Sequence, residues 1–97
     1  MSLRYRSRLI EDIEAEGVEQ EDVHELLGFL VRTLGEIGST LAGRAEFDLG
    51  DCARMRQRGL DDFVLSLWAD HTGATPKWKG EFVSGTRRLR ATVSLQD

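Results

Sequence analysis

The sequence holds one cysteine, one proline and one tyrosine in 97 residues, and it contains no long apolar run. The lone Cys52 permits no internal disulfide, which agrees with a reducing compartment. Its expected role is that of a small buried hydrophobe. No stretch approaches the roughly 18–20 apolar residues that cross a membrane. The basic start of the chain is not followed by an apolar core of signal-peptide length. A cytoplasmic protein is therefore expected. Residues 1–97 are expected to form a single domain, because the length suits one small core and the 40% hydrophobic fraction is ordinary for a globular chain.

Chemistry-bearing patterns are also scarce. There is no Gly-x-Ser-x-Gly elbow, and the run from Thr72 to Lys77 lacks the spacing of a phosphate-binding loop. Glu21 and His24 have the Glu-x-x-His spacing of di-iron bundles, but such sites use the motif twice with further carboxylates. Here it occurs once, in an acid-rich segment. Cys52 and His71 lack ligand-spaced neighbours, and His71 is expected to sit at a helix C-terminus, where positive charge is favoured. No catalytic residue, cofactor site or metal site is assigned, and a non-enzymatic role is expected.

What is present is a segregation of charge beneath a net charge of −4. Residues 1–9 carry +3 through Arg4, Arg6 and Arg8, residues 10–51 carry −10, and residues 76–95 carry +4. Basic ends flank an acidic middle. The ends could meet an anionic partner, or the two regions could attract each other within a chain or across a dimer. The acidic total favours the second.

Read in order, residues 2–7 alternate and suggest a short N-terminal strand. A helix is expected over about 8–16, with Leu9, Ile10 and Ile13 as its stripe and Gly17 beyond its end. A long amphipathic helix follows over 19–42. Val23, Leu26, Leu27, Leu30, Val31, Leu34, Ile37 and Leu41 recur at its period. Gly28, Gly35 and Ala42 are seven apart and could form a groove for another helix; alternatively, Gly35 or Gly38 bends or ends this one. Residues 44–49 alternate briefly. Asp48 is an expected N-cap for a helix over 49–58, and another is expected over 60–70 from Leu60, Phe63, Val64, Leu67 and Trp68. Residues 71–76 read as a loop.

The clearest segment is C-terminal. If Gly85-Thr86 forms a two-residue II′ turn, strands at about 77–84 and 87–95 pair so that Phe82 faces Leu89, Trp78 faces Val93 and Glu81 faces Arg90. Trp78, Phe82, Leu89, Ala91, Val93 and Leu95 then share one side. Lys77, Lys79, Glu81, Arg88, Arg90, Thr92 and Ser94 share the other. The expected class is α+β, with a mostly helical middle closed by this C-terminal hairpin.

Two functions follow from these features. The first is a small protein–protein interaction or regulatory protein, such as an adaptor or antitoxin-like partner, acting as a homodimer through complementary acidic and basic surfaces. Its expected contact residues are Lys77, Lys79, Arg87, Arg88 and Arg90. The alternative is a winged-helix-like DNA-binding protein. In that case 60–70 would be the recognition helix, and the hairpin would be a wing bringing Arg87 and Arg88 to phosphates.

Overall fold

A computed structural model of the chain describes the backbone of residues 3–5 and 8 and all atoms of 9–37, 43–72 and 77–94. It shows a six-stranded antiparallel sheet with one long helix across a single face. The strands are β1 (Leu3–Tyr5), β2 (Arg8–Glu16), β3 (Arg44–Asp48), β4 (Val64–Asp70), β5 (Lys77–Ser84) and β6 (Arg87–Ser94). The helices are α1 (Gln20–Ile37) and the short α2 (Ala53–Gln57). In space the strands follow the order β1-β2-β6-β5-β4-β3. α1 leaves β2, crosses the sheet and delivers the chain to β3 at the far edge. The meander β3-β4-β5-β6 then returns to close against β2. Among the described residues no helix is long and apolar enough to cross a membrane.

The hairpin has the expected register throughout, from Lys77 opposite Ser94 to Ser84 opposite Arg87. Gly85 has φ +58°, and Thr86 is not among the residues with positive φ, as a II′ turn requires. Leu95 lies outside the described residues. The N-terminal strand is also present, although it pairs with β2 rather than with the hairpin. β3 occupies the segment expected to be extended.

The mostly helical middle is overturned: two expected helices are strands. Segment 8–16 is β2, and its helix-like spacing has a physical cause. Its register against β6 shifts between Glu11 and Glu14, and Asp12 adopts φ +54°. A bulge adds one residue to one strand and resets which side chains face the core. Ile10 and Ile13, three apart, therefore both meet the core. Segment 60–70 is the second correction. Leu60 and Phe63 are buried in the approach to β4, and then Leu65 and Leu67 point inward while Val64 and Trp68 face the other way. The spacing of Leu60, Phe63, Val64, Leu67 and Trp68 imitates a helix because it runs across a turn and then along both faces of a strand. His71 consequently follows a strand, not a helix.

The other helices survive in altered form. α1 starts as expected, with the Val23 N–H donating to the Glu19 carbonyl at 2.9 Å. Gly38, Leu41 and Ala42 of its expected C-terminal part lie outside the described residues. Asp48 does act as an N-cap, its Oδ1 accepting from the Gly50 N–H at 2.8 Å. It caps a single 3-10 turn, Leu49–Asp51, and α2 follows as a separate element.

The core lies between α1 and the inner sheet face. Val23, Leu26, Leu27, Leu30, Val31 and Leu34 of the helix are buried against Ile10, Leu65, Leu67, Trp78, Phe82, Leu89, Ala91 and Val93. Leu49, Met55, Leu60 and Phe63 from the β3–β4 connection close one end. Cys52 is half-buried and packs against this core. Gly80 marks the closest approach of helix and sheet, since a Cβ there would stand 2.8 Å from Cδ1 of Leu30. One sheet face is thus filled, and the described helices leave the other uncovered.

Candidate functional site: the open face of the sheet

Strand pairing arranges the open face in rows. One runs Ser66, Glu81, Arg90, Glu14, and the next runs Trp68, Lys79, Thr92, Glu11. Toward the hairpin turn lies the row Val64, Val83, Arg88, Glu16, and at the other end Asp70, Lys77 and Ser94 stand side by side. Lys77, Lys79, Arg88 and Arg90 therefore share one surface, as their alternation predicts. β2, however, supplies a flanking stripe of carboxylates.

Each of these four cations has an acidic or hydroxyl neighbour. Glu81 lies 3.4 Å from Arg90 and 3.8 Å from Arg88. Lys77 lies 3.7 Å from Glu11. Lys79 donates to Thr92 Oγ1 at 3.0 Å and stands 3.9 Å from Asp70. The Thr72 hydroxyl and N–H both donate to Asp70, and these bonds hold its carboxyl below its ordinary range. The surface is a mosaic of opposite charges rather than a uniformly basic patch. Individual surface pairs of this kind contribute about 0–1 kcal/mol to stability, so they order the face more than they hold the fold.

Sequence reasoning missed three contributors. Trp68 is half-exposed on the open face, and the Arg44 guanidinium lies 4.4 Å from its ring centroid. Val64, further along the same strand, is 41% exposed, the highest value among the large apolar side chains described. Reading 60–70 as a helix placed both residues in a core stripe; their alternation with Leu65 and Leu67 was the available signal. Asp12 is the third contributor. The bulge turns it to the open face, where a cleft of about 90 Å³ is walled by Asp12, Glu14, Trp68, Lys79, Arg90 and Thr92. An aspartate can hold φ > 0 more readily than most residues, because its short side chain bonds locally.

Arg87 separates from the other expected contact residues. It belongs to the side of the hairpin that faces the core, where its Nη2 donates to Asp62 Oδ1 at 2.9 Å and its guanidinium lies 4.6 Å from the Phe63 ring centroid. The Ser84 hydroxyl also donates to Asp62. The hydrogen bond from Ser84, then that from Arg87, lowers the Asp62 carboxyl below its ordinary range. Arg87 thus fastens the hairpin turn to the approach of β4. The winged-helix scaffold is absent as well, because the segment assigned as recognition helix is β4. His24 and Glu21 are both exposed on α1, and among the described residues no three His, Cys, Asp or Glu side chains gather as a metal-ligand set.

The fold is thus a two-layer domain in which a helix covers one face of an antiparallel sheet. Comparison with protein-family models, curated proteins and solved structures finds no match for this chain.

Proposed function

We propose that the protein is a non-enzymatic interaction protein that acts as a homodimer, with the open sheet face as its contact. One observation carries this reading. The face that the described helices leave open sets a carboxylate stripe on β2 beside the cations of β5 and β6, next to the half-buried Trp68. A surface with adjoining stripes of opposite sign is complementary to a second copy of itself under two-fold symmetry. The β2 carboxylates of one copy then meet Lys77, Lys79, Arg88 and Arg90 of the other. Trp68 supplies the kind of large, flat apolar contact that dominates interface energetics. The protein works in the cytoplasm, where Cys52 stays reduced, and its dimer presents the regulatory or adaptor surface.

Sedimentation velocity from low micromolar to several hundred micromolar tests this reading. The expected result is a weight-average mass that rises from one chain toward two. Trp68→Ser shifts that rise to higher concentration, while circular dichroism shows the sheet retained. A single-chain mass across the whole range would exclude the homodimer.

A further inference from the structure

A groove of about 330 Å³ lies between α1 and α2, on the helical side of the sheet and away from the open face. Its volume falls at the lower end of the range of small-molecule sites. Gly28 makes the room. His24, Gly28 and Arg32 are successive members of one i,i+4 row, so the missing side chain leaves a gap between two cationic or potentially cationic ones. Phe29 and the buried Met55 supply apolar surface.

The polar lining is biased toward cations. Its one carboxylate, Glu25, is taken by a bidentate pair with Arg54, with Nε at 2.6 Å from Oε2 and Nη2 at 2.7 Å from Oε1. Arg58 stands 3.9 Å from the same carboxylate. Glu25 thus serves several guanidiniums and fixes Arg54 at the edge of the groove. Arg32 also acts on Glu25 through its charge, but it makes no ion pair within 4.0 Å and no hydrogen bond among the described residues; its guanidinium rests 5.7 Å from the Phe29 ring centroid. His24 is exposed and likewise makes no hydrogen bond among the described residues. Two of these donors, His24 and Arg32, belong to residues 10–51, the most acidic part of the chain, and Arg54 comes from the segment that follows.

We propose that this groove binds a phosphate monoester with a flat apolar body. His24, Arg32 and Arg54 hold the phosphate, and the body lies over Gly28 and Phe29. Guanidiniums match phosphate oxygens in geometry as well as charge. Three donors that line one groove from two helices suit a three-oxygen terminus better than a carboxylate.

The test is a titration of the full-length, nitrogen-15-labelled protein, followed by NMR, with adenosine 5′-monophosphate as the probe. Adenosine and inorganic phosphate serve as separate controls. The expected result is saturable shifts confined to amides 24–32 and 53–55, with affinity falling as salt is added. Each control should bind at least about tenfold more weakly, since each supplies only part of the contact. Arg32→Met should weaken binding about tenfold, the loss expected for one charge-assisted hydrogen bond. Gly28→Leu should abolish binding by filling the groove. If that variant does not fold, Arg32→Met decides alone. Absence of saturation, adenosine binding as tightly as its monophosphate, or an Arg32→Met variant with unchanged affinity would each overturn the proposal.

Discussion

Two backbone positions set the shape of this molecule at the scale of single residues. At Asp12 the chain takes φ +54° to accommodate the β2 bulge, and this lets Ile10 and Ile13 both reach the core. A β-branched residue tolerates that conformation poorly, so Asp12→Val should destabilise the fold by about 1–2 kcal/mol. Asp12→Gly should be close to neutral; urea midpoints of the two variants compare them directly. At Gly80 the constraint is space. A methyl group there would stand 2.8 Å from Leu30 Cδ1 and 3.0 Å from Cδ2, and Leu30 is fully buried. Gly80→Ala should cost about 1–3 kcal/mol through overpacking. Because the clash is with one side chain, Leu30→Val should recover part of that loss. The double variant should therefore be more stable than the sum of the single effects predicts, by chemical denaturation.

Ion pairs join the elements where apolar contact is thin. Glu25 on α1 clamps Arg54 on α2, and the hydrogen bond from Arg54 holds the Glu25 carboxyl below its ordinary range. A lowered folded-state value means that the linked stability is fully present above the unfolded-state pKa, about 4.3. It is lost as pH falls through the lower folded value. Thermal melts below about pH 5 should therefore show a smaller acid-dependent loss for Glu25→Gln than for the wild type, by no more than the ~1 kcal/mol of a surface pair. The elements also differ in how plainly their sequences declare them. β5 and β6 were legible because a glycine turn fixed the register and one alternation sorted thirteen side chains into two faces. α1 was legible because its six buried residues keep one helical period. β2 was hidden because its bulge places two core residues three apart, as a helix would. β4 was hidden because Trp68 and Val64 are large apolar residues on the face that the described helices leave open, where alternation predicts polar ones. Of the expected contact residues, four share that face. The opposite orientation of Arg87 was contained in the register, since it pairs with Ser84 on the core side, but its partner Asp62 depends on the path into β4.

For the whole molecule, the basic C-terminal hairpin and the acidic middle of the chain meet within one copy, as the Lys77–Glu11 pair shows. The sheet carries its described helices on one side and a charged mosaic with the half-buried Trp68 on the other. We hold that a second copy covers this mosaic, through β2 carboxylates meeting the cations of β5 and β6. Charge reversal separates the two halves of that contact. Lys79→Glu with Arg90→Glu gives an acidic variant; Glu11→Lys with Glu14→Lys gives a basic one. Each alone should remain monomeric in sedimentation equilibrium at concentrations where the wild type dimerises, because like charges would then face each other. Mixed in equal amounts, the two variants should recover the two-chain mass, as reversed carboxylates and reversed cations meet across the interface. A mixture that stays at the single-chain mass while the wild type dimerises would contradict the open face as the contact.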